Sequence, residues 1–219
     1  MSTNSGYAVS LNIRGKTCLV VGGGNIALRK AAGLLKAGGK VLIISPNAHE
    51  RIQQWAAAGR LHWIQTEYRR EYLIQYRPFL VIAATDSTTT NERIAQDAQE
   101  QHILVNAVHD GEISDFHNLA TVESGPITLG IGTNGLAPVL TRYLKTQLAE
   151  FLGEEYAILA QWLAEYREQL QTQVPNQNQR AEYLAAIPLA DILNYLKTGD
   201  EEAALTLFRQ AVLRSSELS

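Results

Sequence analysis

TCLVVGGGNIALRKAAGLLKAGGKVLIISPN, residues 17–47, decides the fold of this chain. An apolar run, 17–21, leads into Gly22, Gly23 and Gly24, followed by Asn25, Ile26 and Ala27. Residues 28–37 are good helix formers, with Leu28, Ala31, Leu34 and Leu35 at helical spacing. Gly38 and Gly39 stop that helix. A second apolar run, 41–44, closes at Pro46. Gly22-x-Gly24-x-x-Ala27 has the spacing of a dinucleotide fingerprint. Gly22 permits a tight turn, Gly24 lets the backbone approach a pyrophosphate, and Ala27 lets the helix pack on the strand. The anion would rest on free N–H groups opening the helix, at Asn25 and Ile26, helped by the helix dipole. A tight turn without a ligand is the plain alternative. An NAD site usually carries a carboxylate about 20 residues after the turn to bond the ribose. Here Ser45-Pro46-Asn47 stands there, so Ser45 and Asn47 become the ribose candidates and spacing alone leaves NAD against NADP open.

Outward from this unit the alternation repeats. A helix is predicted at 48–58, strands at 61–65, 79–85 and 103–108, and a helix at 90–101 with Ile94 and Ala98 inward. The pattern implies an α/β fold, a Rossmann-like doubly wound parallel sheet, with ligands along the carboxyl ends of its strands. Thr85 and Asp86 end the fourth strand near an expected nicotinamide, and Asn106, His109 and Asp110 end the fifth. Near residue 113 the pattern changes. Runs 119–123 and 127–133 read as a hairpin around Ser124-Gly125-Pro126, and Pro138 opens a helix at its first turn. Leu140, Leu144, Leu148 and Phe151 share one helical stripe; Tyr156, Leu159, Leu163, Tyr166 and Leu170 share another. A polar linker is expected over 171–180, then helices at 189–196 and 201–213, the last capped by Asp200.

The 219 residues suffice for a substantial core, and a hydrophobic fraction of 46% with 19% charged is ordinary for a globular chain. A net charge of −3 gives no overall attraction to nucleic acid or anionic lipid. The apolar runs fall far short of the ~20 residues that span a bilayer. The start, MSTNSGYAVSLNIRG, lacks the basic and apolar regions of a signal peptide, and Cys18 has no possible disulfide partner. A cytoplasmic location is expected, with neither nucleic acid nor membrane as partner.

Four segments together resemble one family, the siroheme-synthase dehydrogenase module, or precorrin-2 dehydrogenase with or without sirohydrochlorin ferrochelatase activity. They are VVGGGNIALRKAAGLLKAGGKV from residue 20, VIAATDSTTTN from 81, VNAVHDGEISDF from 105, and ATVESGPITLGIGTNGLAPVLTRYLKTQL from 120. Order and spacing agree through residue 148; residues 150–219 match only as a helical tail. The resemblance implies a dinucleotide domain (1–113), a hairpin-plus-helix dimerisation segment (114–150) and a helical C-terminal domain (151–219), paired as a homodimer. It implies hydride transfer from precorrin-2 to NAD, giving sirohydrochlorin, and in some members Fe2+ insertion to give siroheme.

The sequence departs from the family at telling places. His109 stands where the family has its functional aspartate, with Asp110 beside it, and Leu119 replaces a proline. The family's hydroxyl-rich turn reads Gly132-Thr133-Asn134-Gly135-Leu136-Ala137-Pro138, which loses hydroxyls at 132 and 137 and keeps Thr133 for the substrate. Dehydrogenation releases a proton, and an imidazole with a pKa of about 6.5 can take one at neutral pH. His109 and Asp110 are therefore the catalytic candidates, against the plain reading of a surface turn. Arg29, Lys30 and Arg142 are candidates for the carboxylates of a tetrapyrrole, whereas Lys145 reads as solvated. Asn106 is a further substrate candidate. His109, Asp110, Asp115 and His117 have the composition of a metal site without its helical spacing, and no stable metal is expected. The alternative function is a dinucleotide-binding sensor or assembly module that has lost catalysis, motivated by His109.

Overall fold

The structure is a computed structural model that describes residues 6–108 and 111–217. Its first unit, residues 1–118, alternates β1 (Thr17–Val21), α1 (Asn25–Lys36), β2 (Lys40–Ile44), α2 (Glu50–Ala57), β3 (His62–Ile64), α3 (Glu71–Tyr76), β4 (Leu80–Ala83), α4 (Thr88–Gln99) and β5 (Leu104–Ala107). The five strands are parallel in the order β3-β2-β1-β4-β5. Val21 lies level with Ile44 on one side and Ala83 on the other. Strand order therefore reverses beside the end of β1, which is where open α/β sheets leave a crevice for ligands.

Alternation of side chains explains the continuous apolar runs. Cys18, Val20, Val41, Ile43, Leu80 and Ile82 pack with Ala27, Ala31 and Leu34 of α1 and Ile52 of α2. Leu19, Val21, Leu42, Ile44, Val81 and Ala83 pack with Leu73 of α3 and Ile94 and Ala98 of α4. Both faces are covered, so both sets of strand residues must be apolar. Burial pushes the Cys18 thiol up to about 11. A thiol reagent at pH 8 is therefore expected to label the protein only as it unfolds; rapid labelling of the native protein would contradict the packing.

Several boundaries differ from the sequence expectation. α1 starts at Asn25, three residues early, because Gly24 serves as its N-cap. α4 starts at Thr88 because the Ser87 hydroxyl accepts from the Thr90 N–H. The cap outweighs the weak helix preference of three successive threonines. α3 was not anticipated: it is six residues of aromatic and polar character, stopped by Arg77 at φ 42°.

The second unit, residues 119–219, contains an antiparallel hairpin, β6 (Ala120–Ser124) and β7 (Ile127–Ile131). It continues with α5 (Pro138–Phe151), α6 (Glu154–Gln173), α7 (Gln177–Ala185), α8 (Leu189–Lys197) and α9 (Glu201–Glu217). Val122, Ile131 and Leu152 form a small core with Leu144, Leu148 and Tyr156. Leu159, Tyr166, Leu170, Tyr183, Ile192 and Phe208 form a second, helical one. The polar stretch expected as a linker is mostly helix: only 174–176 interrupts α6 and α7. Pro175 forces the break, the Asn176 side chain caps the N–H groups of Asn178 and Asn178's neighbour Gln179, and Arg180 donates to the Val174 and Pro175 carbonyls. The stripe expected on α5 also divides. Leu144 and Leu148 pack inward, while Phe151 and half of Leu140 are exposed.

Candidate dinucleotide site and the depression beside it

Gly22 has φ +123°, and its N–H donates to the Ile44 carbonyl at 2.9 Å. A Cβ there would stand 2.2 Å from the Ala84 carbonyl oxygen, so the turn lies hard against the end of β4. Gly23, only a spacer in the fingerprint, is equally constrained. Its carbonyl accepts the His49 N–H at 2.7 Å, and a Cβ would stand 2.0 Å from the Asn47 carbonyl oxygen. Gly24 is different: a Cβ there would meet nothing within 4 Å. The protein itself has no steric need for glycine at that position. Gly24 caps α1 without a side-chain hydrogen bond, and the first turn carries no acidic residue. The opening N–H groups, at Asn25 and Ile26 among others, thus have no acceptor within their helix. Open space, free donors and a favourable dipole fit a dinucleotide pyrophosphate.

At the end of β2, Ser45 is buried and its hydroxyl donates to the Asn47 carbonyl at 2.7 Å. Its own carbonyl accepts the Trp63 indole N–H at 3.0 Å. Ser45 therefore holds the turn that presses on Gly23, and its hydroxyl is engaged there. Pro46 and Asn47 are exposed on the rim.

At the end of β4, Thr85 is organised by a residue that sequence reasoning missed. Asn91 is 5% exposed, accepts from the Thr85 N–H at 3.1 Å and hydroxyl at 2.8 Å, and donates to the Thr85 carbonyl at 3.0 Å. The signal was its spacing: Asn91 precedes Ile94, Ala95 and Ala98 on the inner face of α4. Asp86, by contrast, is exposed.

β5 is the sheet edge, and the segment after it covers that edge. The Asp115 N–H donates to the Val105 carbonyl at 2.8 Å, and the Val105 N–H donates to the Asp115 carboxylate at 3.0 Å. The Ser114 hydroxyl accepts from the Ala107 N–H. Asp115 is thus committed to the edge strand, and no group of three metal-ligating residues forms among the described residues. Asn106, buried in β5, donates to the Phe116 carbonyl at 2.9 Å and accepts from the Lys30 ammonium at 2.9 Å. Lys30 also donates to the Asn118 side-chain oxygen. Burial, and after it the neighbouring charge of Arg29, lowers Lys30 to about 8. Arg29, Lys30, Asn106, Gly111, His117 and Asn118 line an open depression of about 280 Å3. Thr133 and Arg142 lie in the second unit. The Thr133 hydroxyl accepts from the Ala137 N–H at 3.2 Å and contacts the Thr141 hydroxyl at 3.0 Å, which fastens the start of α5. Arg142 is exposed. His109 and Asp110 lie outside the described residues.

A parallel sheet reversing its order beside a glycine turn and an open helix N-terminus defines a Rossmann-like dinucleotide-binding domain. Residues 9–120 match the family described as putative NAD(P)-binding, and the chain belongs to that family. It is 34% identical over 196 residues to a siroheme synthase of Nitrosococcus oceani, covering 90% of this chain and 42% of the relative. It is 34% identical over 208 residues to a siroheme synthase of Xylella fastidiosa, covering 94% and 44%. The chain therefore spans less than half the length of these curated relatives. Among solved structures, SirC, precorrin-2 dehydrogenase, superposes with a TM-score of 0.75 at 26% identity, over 93% of this chain and 99% of that one.

Proposed function

We propose that this chain is an NAD-dependent precorrin-2 dehydrogenase producing sirohydrochlorin in the cytoplasm. The observation that carries the reading is the end-to-end likeness to SirC, which covers both units rather than the cofactor domain alone. The division of labour follows the three parts named above: 1–113 for the cofactor, 114–150 for dimerisation and 151–219 as a helical domain.

Dehydrogenation removes a hydride and a proton from the substrate. When bound, the nicotinamide supplies the hydride acceptor. Gly24, Asn25 and Ile26 receive its pyrophosphate, and Asn47 and the Pro46 rim receive the adenosine ribose. Thr85, locked by Asn91, and Asp86 shape the nicotinamide end. His109 takes the released proton, with Asp110 beside it as an acidic partner. Arg29, Thr133 and Arg142 bind the substrate, and Asn106 contributes by holding the Lys30 ammonium.

The deciding experiment mixes purified protein with precorrin-2 and either NAD+ or NADP+. Formation of sirohydrochlorin with faster reduction of NAD+ is expected. His109→Ala is expected to lower the rate by ~100-fold at pH 7, within the usual range for losing an acid–base group. Intact dinucleotide binding without turnover would instead favour the sensor or assembly module. A second arm adds Fe2+ to sirohydrochlorin, and insertion above the spontaneous rate would add a chelatase step with iron as substrate.

A homodimer is part of the proposal. Val139 and Tyr143 on α5, and Leu136 in the turn before it, are 80%, 60% and 80% exposed. Exposed apolar side chains grouped in this way at the start of a helix mark a contact face. Sedimentation velocity should find a dimer for the parent and a monomer with unchanged circular dichroism for Val139→Glu; a monomeric parent would remove this part of the reading.

A further inference from the structure

The depression beside β5 has a chemical bias that the dinucleotide turn does not explain. The Asn106 and Asn118 side-chain oxygens are both spent on Lys30. Asn106 gives an amide N–H to the Phe116 carbonyl, and Asn118, its oxygen accepting from Lys30, lines the opening. The Arg29 guanidinium and the His117 ring complete the polar lining. No carboxylate lines the depression or pairs with Lys30 among the described residues. Arg29 and Lys30 both line it, and Lys30, half-buried, is held by two neutral amide oxygens with no carboxylate against it among the described residues. Keeping an ammonium there is unfavourable by itself, and a bound anion would offset that cost.

We propose that this depression is a carboxylate-binding subsite, in which Lys30 is the anchoring cation and Asn106 and Asn118 are the residues that position it. The proposal rests on the precorrin-2 reading: its occupant is a side-chain carboxylate of the tetrapyrrole. A cofactor phosphate shares the chemistry and is the competing source. Arg29 supplies a second, more exposed contact, so the geometry singles out Lys30 as the specificity-determining residue. Amide oxygens hold the ammonium without neutralising it, which an acidic partner would do.

The test measures binding of sirohydrochlorin, by absorbance titration without nucleotide, and of NAD+, by calorimetry, to the full chain. Lys30→Gln is expected to weaken sirohydrochlorin about 10- to 100-fold, the usual worth of one charge-assisted hydrogen bond, with NAD+ affinity within twofold. Asn118→Asp, at an exposed position that tolerates substitution, is expected to act in the same direction by placing a carboxylate against Lys30. In turnover both variants should raise KM for precorrin-2 far more than they lower kcat. Unchanged sirohydrochlorin affinity in both variants overturns the subsite while leaving the dehydrogenase reading standing. Loss of NAD+ affinity with sirohydrochlorin unaffected assigns the depression to the cofactor phosphate and also overturns it. A parent protein that neither binds sirohydrochlorin nor oxidises precorrin-2 overturns the functional reading, and the tetrapyrrole subsite with it.

Discussion

Gly23→Ala is expected to disrupt the glycine turn, whereas Gly24→Ala, one residue on, should fold normally and lose dinucleotide. The contrast comes from what a methyl group meets. At Gly23 the added Cβ would lie 2.0 Å from the Asn47 carbonyl oxygen and 2.8 Å from the Ala48 Cα, both backbone atoms. Neither can swing aside as a side chain would. The turn is also tied by the Ser45 hydroxyl and by the His49 N–H to Gly23 itself, so relief means breaking those bonds. A cost of about 3 kcal/mol, the upper end for overpacking, is expected in a urea titration. At Gly24 the methyl group meets open space, and φ of −79° suits any residue. Alanine is a poorer cap than glycine, so a loss below about 1 kcal/mol is expected. NAD+ affinity should fall about tenfold or more, because the methyl group occupies the line along which a pyrophosphate approaches. Wild-type affinity in Gly24→Ala would mean that the anion does not bind there.

The second large effect is expected at Asn91. Asn91→Ala removes the acceptor for the Thr85 N–H and hydroxyl and the donor to the Thr85 carbonyl in one step. Unmade hydrogen bonds in a buried position cost about 1–3 kcal/mol each. Thr85 is only half-buried, and water can reach part of the gap, so a total near 2–3 kcal/mol is expected. The β4–α4 loop should loosen, with NAD+ affinity reduced alongside the urea midpoint. Asn91→Asp should cost less, since its carboxylate still accepts from the Thr85 N–H and hydroxyl. A midpoint and affinity both equal to the parent's would show that Asn91 does not organise this loop.

Some of this architecture is written locally. β1, its turn, α1 and β2 follow one another within residues 17–44, and each is declared by short-range features: apolar runs, glycines, a 3.6-residue period. Two-sided burial of a parallel sheet favours apolar residues on both faces of a strand, and runs such as Leu80–Ala83 supply them without reference to partners. The resemblance to precorrin-2 dehydrogenases was likewise legible, because four separate segments kept their order and spacing. Capping decided the errors at helix ends. Ser87 and Asn176 each supply a side-chain oxygen to the N–H groups ahead of them, and that single contact overrides the propensity of the neighbouring residues.

The tertiary structure decided the rest, and distance along the chain is the reason. Gly23 reads as a spacer until the 45–48 turn is folded against it. Asp115 reads as one of several acidic and histidine residues until it is seen paired with Val105 on the edge of the sheet. Lys30 reads as one of two basic residues on a helix. Its partners, Asn106 and Asn118, are 76 and 88 residues away in sequence. Periodicity reports which face of an element is buried, so by itself the sequence determined the strands, most of the helices and the family of the cofactor domain, but not α3 or α7. A side chain's hydrogen-bond partner depends on how distant strands and loops are brought together, and that only the folded chain specifies.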